Sequence, residues 1–230
     1  MSNNQPNKKT QLKSSLITKL IFIVLLAAII LTIIMKNPSS TTLKEAASKN
    51  TYIEFPDRKP LPLVTLEQAS TNGFSTGKIK NKWHILYFGY TFCPDICPVE
   101  LTALHQMLEI LRKEIAEPEL PQIIFISIDP ERDTPEQVKK YVSAFDKSFI
   151  GLTGKQQALN TLASPFGIAW MKDAPATQNS SNNSFYTMSH STTLLLINPD
   201  SKVAGMFPAP HLAKDMAQVY KTIIKQEKTR

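Results

Sequence analysis

Cysteine is almost absent from this sequence: its 230 residues include only two, Cys93 and Cys97. Neither lies near the long apolar stretch at residues 16–36, which excludes attachment of that stretch to a membrane through a lipid-modified cysteine. The chain also has no internal repeat, so a repeat architecture is not expected. Any chemistry that needs thiols must therefore use this single pair.

Acidic residues are absent from residues 1–36, which contain five lysines. These lysines account for most of the formal net charge of +7, and the rest of the chain is nearly balanced. The basic character therefore belongs to the N-terminus and does not indicate a phosphate-binding face. No nucleic-acid partner is expected.

A long apolar run, residues 20–35, lies between Lys19 and Lys36. Residues 16–36 together approach the roughly 20 residues that are needed to span a bilayer. The run exceeds the ~7–15 apolar residues of a signal peptide, and no small-residue cleavage site follows it. We therefore predict an uncleaved, single transmembrane helix here. Because lysine favours the cytoplasmic side, residues 1–15 are predicted to be a cytoplasmic tail.

The rest of the chain divides into a linker and one domain. Residues 37–50 are small and polar, and they are predicted to link the membrane to the domain at residues 51–230. Within the domain, residues 174–184 are predicted to form a flexible loop. The N-terminus lacks the arginine-rich character of a mitochondrial transit peptide, which favours a bacterial inner membrane with the domain in the periplasm.

Strand and helix patterns alternate through the domain. Trp83–Tyr90 and Gln122–Ile128 are continuous apolar runs, which are typical of buried strands. Further predicted elements are helices at Pro98–Lys113, at residues 134–146 with a cap at Thr134, at 155–163 and at 212–226, and a hairpin of Thr193–Ile197 with Val203–Phe207. This order predicts an α/β fold with a central mixed sheet flanked by helices, in which the two buried strands are parallel neighbours.

Chemically distinctive residues follow both buried strands. Cys93 and Cys97 come after the first strand and Asp129 after the second, so we expect them at the same edge of the sheet. Pro98 is predicted to be the first residue of a helix, with Cys97 as its cap. Both sulfurs would then lie at the positive end of the helix dipole, which stabilises thiolates and lowers the pKa of a thiol.

Four interpretations of the cysteine pair are open at this point. A structural disulfide would close only a very small loop and so restrain little of the unfolded chain. A redox dithiol usually has two intervening residues, whereas Cys93 and Cys97 have three. Two thiolates also suit a soft metal such as Cu(I). Two unrelated buried thiols are disfavoured by the turn-forming residues around the pair.

A copper site needs a third ligand, and the chain has four histidines. His84 lies in a predicted buried strand, His105 on a helix and His211 at an exposed helix start, where packing or solvent contact is expected. His190 differs, because it stands in a turn just before the apolar strand Thr193–Ile197. It is the candidate third ligand, and Met188 is a soft alternative that packing also explains.

Three segments together resemble the signature motifs of the SCO/SenC family of copper proteins. In chain order they are Phe88–Leu101 (FGYTFCPDICPVEL), Ser127–Pro135 (SIDPERDTP) and His190–Thr192 (HST). Their order and spacing match the family, and the resemblance covers roughly residues 55–225. It is far more specific than a single pair of cysteines separated by three residues.

The resemblance implies a thioredoxin-like fold in which Cys93, Cys97 and His190 bind one copper ion per domain. It also implies a role in assembling the binuclear copper centre of cytochrome c oxidase. The implied partners are the copper-containing oxidase subunit and other copper chaperones. Asp95 and Asp129 stand beside these ligands, where either would tune the thiols or orient His190. The alternative roles are a turn former and a loop residue.

Two other functions would use the same cysteines. One is an enzyme, a thiol–disulfide reductase that keeps the copper-ligand cysteines of the oxidase subunit reduced. The other is a copper or redox sensor. The predicted function is the metallochaperone, which is not an enzyme. His190 distinguishes it from the reductase, because dithiol exchange does not require the imidazole.

Overall fold

The computed structural model describes residues 19, 21–29, 51–173 and 186–229. Within the anchor predicted at 16–36, residues 19 and 21–29 are helical. No helix among the described residues is both long enough and apolar enough to cross a membrane. The predicted tail (1–15), linker (37–50) and loop (174–184) lie outside the described residues. The anchor and the topology that follows from it stay predictions.

Short strands and α-helices alternate through the described part of the domain. The strands are β1 (Ile53–Glu54), β2 (Thr65–Leu66), β3 (Phe74–Ser75), β4 (His84–Gly89), β5 (Gln122–Ser127), β6 (Ile150–Leu152), β7 (Trp170–Lys172), β8 (Met188–His190), β9 (Leu194–Ile197) and β10 (Val203–Phe207). The helices are α1 (Ile96–Glu114), α2 (Pro135–Ser143), α3 (Gln156–Ala163) and α4 (Ala213–Glu227). Each element predicted from the sequence is present, and no bound differs from its predicted position by more than three residues.

The central sheet has six strands in the order β1-β10-β9-β4-β5-β6. Strands β4 and β5 are parallel, as predicted, and β9 and β10 form the predicted antiparallel hairpin beside β4. Every residue of β4 is buried and only Gln122 of β5 is partly exposed. These two strands are apolar throughout because both of their faces are covered, which is the usual situation of central parallel strands. The predicted mixed α/β sheet is therefore confirmed.

Helix α1 begins at Ile96 with Asp95 as its N-cap, two residues before the predicted start at Pro98. Proline is tolerated within this first turn because the first N–H groups of a helix have no intrahelical acceptor. The prediction that Cys97 is the cap is therefore wrong, since Cys97 lies inside the first turn. It still lies at the positive end of the helix dipole.

Strands β7 and β8 form a separate antiparallel hairpin, which pairs Trp170 with His190. Trp170 stacks on Phe88 of β4, with 6.4 Å between ring centroids and an interplanar angle of 15°. The sequence did not predict β7, because its three residues are too few to show a strand period. The hairpin places His190 beside the end of β4.

Thr134 caps α2 as predicted, and its Oγ1 accepts a hydrogen bond from the Gln137 N–H at 3.2 Å. In a capping box the Gln137 side chain would bond back to the Thr134 N–H. Its Nε2 donates instead to Thr91 Oγ1 at 3.0 Å, so the start of α2 is tied to the turn that precedes Cys93.

We expect Thr134→Ala to lower the free energy of unfolding by about 1 kcal/mol, because the Gln137 N–H loses its acceptor. Urea denaturation measures the change. Thr161→Ala is the matched control. Thr161 is exposed on α3 and bonds only to the Gln157 carbonyl one turn earlier, and alanine is the better helix former. An equal loss in both variants would contradict the capping role.

Candidate metal centre

Cys93 lies in the turn after β4, and Cys97 lies in the first turn of α1. Both are buried, and neither is in a disulfide. The Cys97 N–H donates to Cys93 Sγ at 3.3 Å. This contact gives an acceptor to one of the helix N–H groups that lack one. It also places the Cys93 sulfur in the positive field of the helix end.

His190, the last residue of β8, completes the group. Its Nε2 lies 3.5 Å from Cys97 Sγ, and its Nδ1 lies 3.0 Å from the Ser191 carbonyl oxygen. A carbonyl only accepts hydrogen bonds, so Nδ1 carries a hydrogen, and in the neutral imidazole Nε2 then keeps its lone pair. The structure therefore presents the tautomer whose free nitrogen faces the sulfurs.

The three side chains fit a soft metal ion. The two Sγ atoms and the His190 ring nitrogen all lie within 4.8 Å of one another. A trigonal ion with bonds of about 2.3 Å to sulfur and about 2.0 Å to nitrogen holds such atoms roughly 3.7–4.0 Å apart. The Cys97–His190 pair is already at about that separation, and the other distances need to shorten by about 1 Å at most, which rotamer adjustment supplies. Two thiolates and one imidazole suit Cu(I).

The two thiols differ in acidity. A hydrogen bond from the Cys97 side chain is the largest influence that lowers the pKa of Cys93. Burial opposes it, and the backbone N–H groups of Cys97 and Asp95 reinforce it. The same contact raises the pKa of Cys97, and burial raises it further. A thiolate at Cys93 thus holds the proton on Cys97. Without metal, the pair carries one negative charge.

Gly89 allows the Cys97 sulfur to approach β4. A Cβ atom at this position would lie 2.9 Å from Cys97 Sγ and 2.8 Å from Phe125 Cε2, which is inside van der Waals contact. No role was predicted for Gly89, although a glycine inside a buried strand is a recognised sign of close approach.

The rings of Tyr87 and Tyr90 pack against the His190 imidazole. The Tyr90 ring meets the imidazole edge-on with 5.9 Å between centroids, and the Tyr87 ring centroid lies 6.3 Å away. Burial is the main cause that raises the pKa of both phenols, so both stay neutral. Tyr90 Oη accepts a hydrogen bond from the Met188 N–H at 3.1 Å, and the Met188 side chain is buried. Packing therefore accounts for Met188.

The two acidic residues predicted beside the site are placed differently. Asp95 is exposed, and its carboxylate makes no capping hydrogen bond; its backbone N–H is what helps to lower the pKa of Cys93. Asp129 is buried and accepts a hydrogen bond from Tyr186 Oη at 2.6 Å, and it also pairs with Arg132. Asp129 is therefore linked to the segment before His190 by its hydrogen bond with Tyr186. Neither this hydrogen bond nor the ion pair with Arg132 involves the His190 imidazole.

Asp133 is a structural residue of the site that the sequence did not single out. Its carboxylate accepts hydrogen bonds from the Thr91 N–H at 2.8 Å, from Thr91 Oγ1 at 2.6 Å and from Ser127 Oγ at 2.5 Å. These bonds fix the turn that leads to Cys93 against the end of β5. The available signal was the position of Asp133 within the second motif, which does not reveal a partner 42 residues away.

His84 and His105 do not belong to the centre. His84 is buried in β4, as expected, and burial lowers the pKa of its imidazole to about 4. His105 Nδ1 lies 3.0 Å from Asp146 Oδ2, and Glu109 completes a second group with metal-ligand side chains. Arg112 donates to both Asp146 oxygens, at 2.8 Å and 3.1 Å, and to Glu109 at 2.7 Å. The Arg112 guanidinium is therefore the cation that this group already binds.

The prediction that His211 is exposed is wrong, since only 1% of its side chain is accessible. Its Nδ1 contacts Glu100, which is also buried, and its Nε2 donates to the Phe207 carbonyl at 2.9 Å. Glu100 lies about one turn beyond Cys97 on α1. The neighbouring prolines indicated an exposed helix end, and the buried carboxylate that pairs with His211 was not evident from the sequence.

Known proteins resemble this chain in both sequence and fold. A family model described as SCO1/SenC matches residues 65–225. A Stutzerimonas stutzeri protein named "Putative copper-binding protein" is 36% identical over 174 residues, which are 76% of this chain and 81% of that protein. The crystal structure of Arabidopsis thaliana ScoI with copper bound has a TM-score of 0.64 at 30% identity and covers 73% of this chain and 99% of that one. Yeast Sco1 with copper bound has a TM-score of 0.62 at 27% identity, over 75% of this chain and 90% of that one.

We expect Gly89→Ala to weaken metal binding by at least tenfold and to destabilise the domain, because the new methyl group displaces the Cys97 sulfur or the Phe125 ring. Competition with a Cu(I) chelator measures the affinity. Gly77→Ala is the control, since a Cβ there first meets the end of the exposed Leu63 side chain at 3.1 Å, which can move away. Unchanged affinity in Gly89→Ala would contradict the close-approach argument.

We expect the reduced, metal-free protein to hold one thiolate at about pH 6, where an ordinary thiol is protonated. The ultraviolet absorbance of thiolate, followed against pH without oxygen, measures it. Cys97→Ala should return the pKa of Cys93 toward the ordinary range, because the main hydrogen-bond donor is lost. Two thiols that titrate together near the ordinary value would show that the asymmetry is absent.

Proposed function

Because this chain belongs to the SCO1/SenC family, we propose that it is a membrane-anchored copper metallochaperone. It carries one copper ion per domain on Cys93, Cys97 and His190. Its role is to help assemble the binuclear copper centre of cytochrome c oxidase. The partners are then the copper-containing oxidase subunit, as recipient, and other copper chaperones, as donors.

The observation that carries this proposal is the convergence of three ligand atoms from distant segments. Cys93 and Cys97 belong to the turn and helix after β4, whereas His190 lies 93 residues beyond Cys97 and still reaches within 3.5 Å of its sulfur. Dithiol exchange alone needs no imidazole at this position. The Nε2 lone pair directed at the sulfurs is the feature that a metal site requires.

The protonation states of the ligands suit stepwise capture and release of copper. Cys93 is already ionised and offers the first sulfur. Cys97 loses its proton as the metal binds, because a coordinated thiol is deprotonated. Copper then passes to the recipient by ligand exchange. The residues between the cysteines, Pro94 and Ile96, are exposed, so recipient thiols can approach this side.

The location follows from the charge pattern of the N-terminus. Residues 16–36 act as a single-pass anchor in a bacterial inner membrane, with residues 1–15 in the cytoplasm and the domain in the periplasm. This placement keeps the site next to a membrane-embedded oxidase. It also places the two cysteines in a compartment where a disulfide can form.

Metal analysis of the purified protein after copper loading tests the proposal. We expect one copper per chain in the parent and substoichiometric copper in Cys93→Ala, Cys97→Ala and His190→Ala, because each variant removes one of three ligands. His105→Ala is the control. His105 belongs to the separate group with Glu109 and Asp146, so this variant should retain one copper. Full copper retention in His190→Ala would refute the three-ligand site.

A second candidate function is a thiol–disulfide reductase acting on the copper-ligand cysteines of the oxidase subunit. The unbridged pair and the lowered pKa of Cys93 favour it, since a thiolate is the attacking species in exchange. His190→Ala separates the two functions. If the protein is a reductase, the His190→Ala variant should keep its rate of dithiol exchange and still support oxidase assembly. If the protein is a chaperone, the variant should fail to deliver copper.

A further inference from the structure

The hairpin that carries His190 is anchored mainly by side chains. Among the described strands, β7 and β8 pair only with each other and not with the six-stranded sheet. The distance from His190 to the cysteines is therefore not set by the hydrogen-bond ladder of the central sheet. His190 lies four residues before β9, so the chain connection limits where it can lie. Within that limit its position depends on the contacts that hold the hairpin to β4 and to the turns after β4 and β5.

Arg132 makes several of these contacts. It follows β5, and its Nε pairs with the Asp129 carboxylate while its Nη1 donates to the Tyr186 carbonyl at 2.9 Å. The guanidinium also stacks on the Tyr186 ring at 3.5 Å from the centroid. Tyr186 Oη in turn donates to Asp129 at 2.6 Å. These three residues form a closed ring of contacts, which we call the Arg132 clamp.

The other side of the clamp faces the cysteines. The Arg132 guanidinium lies 4.9 Å from the centroid of the Phe92 ring and 5.7 Å from that of Tyr90. Phe92 immediately precedes Cys93, and Tyr186 is four residues before His190. One side chain, only 14% exposed, thus lies between the segment that holds a sulfur ligand and the segment that holds the nitrogen ligand.

We propose that Arg132 is a positioning residue for His190, and that the clamp sets how fast the site releases copper. The inference rests on the proposed copper function and deepens it. Arg132 does not touch the metal. It holds the backbone before His190 against the cysteine turn, so that Nε2 stays within reach of the sulfurs.

Arginine is suited to this position because its planar group forms hydrogen bonds in its own plane while stacking on rings above and below. Glutamine at this position retains hydrogen-bonding groups but loses the charge, the second arm and the stacking plane. We therefore expect Arg132→Gln to loosen the hairpin without removing a ligand. Loss of a residue that orients a metal-ligating histidine typically costs about 10–100-fold in metal affinity.

The test uses the full-length chain in detergent and three measurements. In the metal-free protein, hydrogen exchange of residues 186–190 should be faster in Arg132→Gln than in the parent, while exchange in α1 stays the same. In the copper-loaded protein, Arg132→Gln should retain one copper but release it to a Cu(I) chelator about tenfold faster. The Cu(II) form should show a weakened nitrogen coupling in its electron paramagnetic resonance spectrum.

Arg112→Gln is the matched control. Arg112 bridges Asp146 and Glu109 in a comparable network, but it lies fifteen residues beyond Cys97, about 22 Å along α1. The Arg112→Gln variant should therefore give the parent values in all three measurements. Equal effects in both variants would indicate general destabilisation and overturn the inference. Release at the parent rate in Arg132→Gln overturns the clamp alone, whereas a parent that binds no copper overturns the proposed function.

Discussion

The parallel pairing of β4 with β5 is the constraint on which the site depends. Six consecutive pairs, from His84 with Gln122 to Gly89 with Ser127, end the two strands at the same level. The pairing continues one step further, because the Ile128 N–H donates to the Gly89 carbonyl at 2.8 Å. The cysteine turn and the turn that carries Asp129 and Asp133 therefore leave the sheet side by side. Only from that arrangement can Asp133 bind Thr91 and Arg132 reach Phe92.

The sequence predicted the parts of the molecule whose signals are local. The apolar runs of β4 and β5, the Thr134 cap and the three family motifs each occupy a short stretch of chain, and each is where it was expected. The start of α1 was misplaced because proline is tolerated at several positions in a first helical turn. His211 was misplaced for a different reason. Its burial depends on Glu100, which lies 111 residues away.

Within the site, the ligands were easier to predict than the residues that hold them. Cys93, Cys97 and His190 are distinctive because few side chains bind soft metals. Gly89, Arg132 and Asp133 act by leaving space, stacking or accepting backbone hydrogen bonds, and many residues in any sequence can do so. Their roles follow from distances that exist only in the folded chain. For the same reason, sequence alone did not show that Asp129 bonds to Tyr186 rather than to His190.

The sequence separation of 93 residues between Cys97 and His190 gives copper a mechanical role besides its chemical one. A metal ion bound to both residues is a removable cross-link that closes a long loop of the chain. Closing a long loop restricts the unfolded ensemble in the way that a disulfide does. It also joins the start of α1, through the buried Cys97 side chain, to a two-stranded hairpin that is not paired with the main sheet. The loaded and empty proteins should then differ in how independently these two regions fluctuate. A recipient could distinguish the two forms by rigidity as well as by the metal itself.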